Sequence, residues 1–299
     1  MPKYLTTALS QNRTDIMNQS FLVYFLLFSS IMFTSCDRQE VKQMPVGNTE
    51  NVAAITSNTK MVKIPGGKYK PFYGSDTSMT TVTSFLIDVN PVTNGEFLEF
   101  VKTHPEWQRS NIKRLYADSN YLKDWISDTA LPKDIKADAP VCNVSWYAAK
   151  AFAKAVGKRL PTLDEWEFVA MTDETTDNAR SKKSYSDHII DQYLIKNRQF
   201  NQVRQSKANY WGVYNMFDLV WEWTDDFNSV LMTLESRGGD YSDNNLFCAG
   251  GATSATDILN YAAFMRFSMR AGLKANYTVA NLGFRCAINM DSSALGFNK

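Results

Sequence analysis

Residues 209–226, NYWGVYNMFDLVWEWTDD, crowd six aromatic side chains into eighteen positions. Gly212 allows a tight backbone approach there. Tyr214, Met216, Leu219, Trp221 and Trp223 then make a heavily apolar strand or turn, around which the rest of the chain has to be organised. The chain has 299 residues, enough for one large domain or two small ones, and 13% of them are aromatic. Beyond residue 35 the charge is balanced, 30 basic against 30 acidic side chains. That balance gives no reason to expect nucleic acid or an anionic membrane surface as the main partner.

The N-terminal segment carries its own signal. Phe21–Phe33 is a 13-residue apolar run, short of the ~20 residues that span a bilayer and of the right length for a signal-peptide h-region. Thr34-Ser35-Cys36 follows, which resembles a lipoprotein cleavage site with Cys36 as the lipidated residue. The alternatives are an ordinary signal peptide or a buried strand. Met17 is a second candidate start. Residues 1–36 are therefore expected to be a signal peptide, and residues 37–60, polar and without aromatics, a flexible tether.

A domain is expected over 61–289, with a tail over 290–299. Met61–Ile64 predicts a strand ended by Pro65-Gly66-Gly67, and Thr81–Val89 a second strand. Thr93 and Glu96 have capping-box spacing, and Phe97, Phe100 and Val101 follow at helical intervals. His104–Ala139 is an irregular insertion whose Trp107, Tyr116, Tyr121 and Trp125 pin it to the core. Ser145 caps a helix over Trp146–Val156, stopped by Gly157. Thr162 and Glu165 repeat the capping box at the head of a helix carrying Trp166, Glu167 and Phe168. Asp173–Ser206 shows little periodicity and is expected to be a surface excursion. Gly238–Asn245 reads as turn chemistry.

Four stretches together resemble the formylglycine-generating enzyme, or sulfatase-modifying factor, family. Arg159-Leu160-Pro161-Thr162, two intervening residues and Glu165-Trp166-Glu167 match its signature. Gly212-Val213-Tyr214 with Trp221-Glu222-Trp223, the glycines of Cys248–Gly251, and Asn281-Leu282-Gly283-Phe284-Arg285-Cys286 complete it. The resemblance implies an α+β fold, C-type-lectin-like and rich in irregular structure. It assigns structural roles to Arg159, Glu165, Trp166, Trp223 and Arg285, with Arg159 in a buried ion pair to Glu165 or Glu167.

It also implies chemistry, and there the chain departs from the pattern. The family binds copper(I) through two thiolates between its Gly-Gly strand and its final strand, and soft thiolates suit that ion. Residues 252–280 contain no cysteine, so no catalytic residue is assigned and copper is not expected. Cys142, Cys248 and Cys286 remain, and in an exported protein two of them can pair in three ways. A copper site from Cys142 and Cys248 is conceivable; buried inert thiols are the favoured state. The iron-binding branch of the superfamily uses three histidines, and this chain has only His104 and His188. A calcium site near Asp218 and Glu222 is left open, although Leu219 stands where the family supplies an asparagine oxygen.

Two functions from different classes follow. The first is an exported lipoprotein of the cell envelope, anchored to a bacterial membrane, the outer rather than the inner. Its domain serves binding or assembly of a protein partner, as in gliding or secretion-system lipoproteins. Arg266, Arg270, Trp221 and Asn281 would line its ligand groove. The second is an oxidoreductase modifying a partner protein, as in sulfatase activation, through a metal site not identified.

Overall fold

A computed structural model describes residues 59–71, 79–195, 201–227, 265–266 and 268–290, all within one unit of the chain, Ala53–Lys299. The apolar run, Cys36, Gly238–Asn245, Cys248 and the tail expected from the sequence lie outside the described residues. Among the described residues, no helix is long and apolar enough to cross a membrane.

The described elements are seven short strands and four α-helices. In chain order these are β1 (Met61–Ile64), β2 (Gly67–Tyr69), β3 (Thr80–Val82), β4 (Phe85–Asp88), α1 (Asn94–Thr103), α2 (Trp146–Ala155), α3 (Leu163–Ala170), α4 (Lys183–Leu194), β5 (Trp221–Trp223), β6 (Leu282–Phe284) and β7 (Ala287–Asn289). The fold is mixed α+β. β4 is the middle of an antiparallel sheet with β1 and β7 on its sides, β2 pairs with β3, and β5 runs parallel to β6.

The strand expected over Thr81–Val89 is two strands. β3 pairs with β2 and β4 pairs with β1, so the chain changes sheets at Thr83-Ser84. Gly66 permits this. Its φ is +74°, and a Cβ there would lie 2.4 Å from the Val82 carbonyl oxygen.

The helix starts are set locally. Thr93 accepts from the Glu96 amide while Glu96 reaches back to the Thr93 amide, and Thr162 and Glu165 do the same at α3. Ser145 caps α2 by accepting from the Ala148 amide at 3.2 Å. Helix α2 ends where Gly157 takes φ +71°. Helix α4 is the correction to the expected surface excursion. Its N-cap, Lys182, makes no side-chain cap, and only Tyr185, Ser186 and Ile189 are buried.

The main core joins α1, α2 and β6. The Phe97 and Phe152 rings stack at 5.8 Å, and Phe284 meets both edge-on. The insertion over 104–139 is held as its aromatics suggest. Tyr121 and Trp125 are buried in this core, and Trp107 packs against it. The Tyr121 hydroxyl donates to the Trp107 carbonyl and the Trp125 indole to Asn94 Oδ1. Tyr116 is half exposed and meets Trp107 and Tyr147.

Strand β6 is fully buried, and Gly283 lets it approach Val141. A Cβ on Gly283 would lie 2.5 Å from the Val141 carbonyl oxygen, a backbone atom. Gly283→Ala is therefore expected to lower stability by roughly 2–3 kcal/mol through overpacking, measured by urea denaturation. Asp88 gives a pH test. Burial pushes its carboxyl up to about 6, against the opposing pull of Lys158. Between the ordinary value near 3.8 and about 6, the folded chain keeps a proton that the unfolded chain has released. The Asp88 contribution is thus present at low pH and is lost as pH rises through that window. Denaturation midpoints from pH 4 to 7 should show that component in the parent and not in Asp88→Asn.

Candidate functional site

Helix α3 presents three consecutive side chains to three different partners. Glu165 sits at the third helical position, so its carboxylate turns back over the cap. There it receives Arg159 through two hydrogen bonds of 2.7 Å each. That settles the choice between Glu165 and Glu167 as partner of Arg159. The pair is only partly buried, the arginine side chain being 27% exposed.

Trp166 donates from its indole nitrogen to Glu222 Oε2 at 2.7 Å. The same carboxylate takes Arg285 at 2.8 Å through each oxygen. Arg285 also donates to the Asp88, Tyr214 and Asn215 carbonyls. Glu222 and Arg285 are wholly buried, so this is a paired and hydrogen-bonded interior ion pair.

Glu167 accepts Arg266 at 2.9 and 2.7 Å and Arg270 at 3.2 Å. Burial opposes its charge, yet Arg266 and then Arg270 hold its carboxyl below the usual range. Both guanidiniums also lie over the Trp166 ring, Arg270 at 4.7 Å and Arg266 at 5.9 Å. Trp166 thus joins two buried ionic clusters.

In front of Arg270 lies a cavity of about 310 Å³. Trp166, Phe217, Trp221, Glu222 and Asn281 contribute to its wall, and α4 adds Gln192 and Tyr193. The Tyr193 ring stacks on Trp221 at 4.4 Å. Burial pushes the Tyr193 hydroxyl up, with Arg266 opposing. Of the four groove residues expected from the sequence, the structure brings Arg270, Trp221 and Asn281 together on this wall. Arg266 is the correction: it is 2% exposed, bound to Glu167 behind the wall. Gln192 and Tyr193 are additions to the expected set, and they come with α4. The recurrence of Tyr185, Ile189 and Tyr193 at helical intervals is the signal in the sequence that points to them.

Trp223 is fully buried and donates to the Val144 carbonyl, in keeping with its structural role. Asp218 and Glu222 do not face a common cation site. Glu222 is committed to Arg285 and Trp166, whereas Asp218 accepts from Asn215 and lines a separate cavity of about 340 Å³ with Asp173 and His188. Among the described residues, no group of three or more His, Cys, Asp or Glu side chains is arranged to hold a metal. Cys142 and Cys286 are free thiols. Burial, with Asp124 beside Cys142 and Asp88 beside Cys286, pushes both thiols up and disfavours the thiolate. His104 stacks on Phe100 at 4.8 Å, and His188 is exposed on α4.

The short sheets, the two N-terminal capping boxes and the buried carboxylate–guanidinium clusters belong to a scaffold whose family can be stated. The sulfatase-modifying factor enzyme 1-like domain matches residues 48–290; the chain belongs to that family. It is 27% identical over 284 residues to the inactive C-alpha-formylglycine-generating enzyme 2 of Bos taurus, covering 76% of this chain and 87% of that one. It is also 27% identical over 296 residues to the formylglycine-generating enzyme of Streptomyces coelicolor, covering 79% and 91%. The chain spans about a third of the length of the Chlamydia serine/threonine-protein kinases that it also matches. Among solved structures, PvdO from Pseudomonas aeruginosa aligns with a TM-score of 0.42 at 19% identity, over 77% of this chain and 94% of that one.

Breaking the interior pair should cost far more than breaking a surface one. Arg285→Met leaves Glu222 buried without its cation and is expected to lower stability by about 3–5 kcal/mol. Lys102→Ala removes an exposed pair with Glu99 and should change stability by less than about 1 kcal/mol. Urea denaturation of the two variants checks the contrast.

Proposed function

We propose that this chain is an exported, lipid-anchored protein of the bacterial cell envelope whose formylglycine-generating-enzyme-like domain binds a partner instead of oxidising it. The observation that carries this reading is the absence of any cysteine over residues 252–280, where the resemblance locates the copper thiolates. The described thiols do not replace them. Cys142 and Cys286 are shielded from ionisation, and neither lines the cavity in front of Arg270. That described donor set does not fit copper(I), which takes thiolate ligands. A relative whose own name declares it inactive lies at the same identity as one named an enzyme, so loss of the chemistry is compatible with retention of the scaffold.

The anchoring part rests on the 13-residue apolar run Phe21–Phe33 and on Cys36 after Thr34-Ser35. A lipid on Cys36, with the polar stretch to residue 60 as tether, would hold the domain at a membrane, the outer rather than the inner. The partner is an envelope protein. The second reading, an oxidoreductase acting on a partner protein, is favoured by the likeness to the Streptomyces enzyme.

Three measurements on the purified full chain separate the two. Bound copper, iron and calcium are quantified by mass spectrometry, a sulfatase-motif peptide is incubated in air and assayed for aldehyde, and envelope proteins that co-purify are identified. We expect no redox metal at stoichiometric level, no aldehyde and a reproducible envelope partner. Aldehyde formation, or one redox metal per chain, would sink the binding reading in favour of the enzyme.

A further inference from the structure

Among the described residues, Arg270 is the cation on the cavity wall, and it has donors to spare. Arg270 is 3% exposed and lines the cavity. Glu167 is already held by Arg266 through two hydrogen bonds, which leaves Arg270 a single contact at 3.2 Å from Nη1. Its Nε and Nη2 donate to no described residue. A guanidinium edge that faces a cavity without such an acceptor is suited to an anion, since a carboxylate accepts two parallel N–H donors from one guanidinium.

The rest of the wall limits what carries that anion. Glu222 is the only carboxylate there among the described residues, and Arg285 and Trp166 already hold it. Most of the other described lining is aromatic or aliphatic, with the Gln192 and Asn281 amides as further polar groups. A volume of about 310 Å³ falls at the small end of the roughly 300–1,000 Å³ of small-molecule sites. It suits a compact ligand with a flat apolar body.

We infer that this cavity binds a small organic carboxylate on an aromatic body, with the carboxylate on the free edge of Arg270 and the ring against the apolar wall. This inference rests on the binding reading and adds a ligand class to it. Arg270 is a binding residue here, with Glu167 as the residue that positions it. The Trp166 ring beneath the guanidinium keeps its plane fixed.

The test uses the full chain and a panel of benzoate, 4-hydroxyphenylacetate and indole-3-acetate, each beside its neutral amide, by isothermal titration calorimetry. At least one acid should bind saturably at one site, with its amide weaker by about tenfold or more, the size of a hydrogen bond to a charged group. Arg270→Gln should weaken the acid by a similar factor and the amide by clearly less. Should that variant fail to fold, Asn281→Asp serves instead. Asn281 has an exposed side chain, so the substitution adds a carboxylate at the mouth and should repel only the acid. No saturable binding by any acid, equal binding of acid and amide, or equal weakening of both by Asn281→Asp overturns the inference. Failure here leaves the binding reading standing through its envelope partner, whereas aldehyde formation in the peptide assay would remove that reading without touching the carboxylate site.

Discussion

The Trp166 indole N–H meets Glu222 at 2.7 Å, and Arg285 grips the same carboxylate from the other side. Each of the three groups lies on a different part of the chain: α3, β5 and the end of β6. Any one of them left alone in the interior would be unfavourable, an unpaired charge by several kcal/mol. Together they satisfy one another, and Arg285 closes three further backbone carbonyls. A domain of short strands and long irregular connections has few ladder hydrogen bonds to fix its parts. The buried pair supplies what the sheets lack, because it can be satisfied in only one arrangement of these segments.

The second cluster depends on the first. Glu167 follows Trp166 in α3, so the same helix placement that seats the indole on Glu222 turns Glu167 to Arg266 and Arg270. The two guanidiniums lie over the ring of that same indole. One carboxylate between two arginines leaves the arrangement asymmetric. Arg266 makes two hydrogen bonds to it, Arg270 one. The cavity opens on the less satisfied arginine. Stability and the make-up of the cavity wall are therefore linked at this place: the residue that anchors the cluster also determines which donors face the cavity.

The two described thiols belong to the packing of the domain. Cys286 is buried and Cys142 half-buried, and desolvation pushes both thiols up, which disfavours the thiolate. Cys286 behaves as a small apolar side chain of the core. The framework of carboxylates, arginines and tryptophans does not need a thiolate to be stable.

Several features are legible in the residues because their causes are local. The capping boxes at Thr93 and Thr162, the Ser145 cap and the Gly157 stop depend on neighbours within one helical turn. The apolar strand around Trp221–Trp223 and the pinning of the 104–139 insertion follow from burial of large aromatics. Helix α4 is only faintly marked, by the spacing of Tyr185, Ile189 and Tyr193, since it has no side-chain cap and only three buried residues on its face. The partner of Arg159 is open between Glu165 and Glu167 in the sequence and needs geometry. Those two glutamates lie about 200° apart around the helix axis, so only one can reach back over the cap. The roles of Arg266 and Arg270 are hidden for a different reason. Both are arginines in one short segment, and nothing in their order says which one a distant Glu167 will hold more tightly. Sequence determined the local elements and the family, because those are written in neighbouring residues. Tertiary structure alone decided which charges meet and which donor is left to face the cavity, because that depends on contacts between residues about a hundred positions apart.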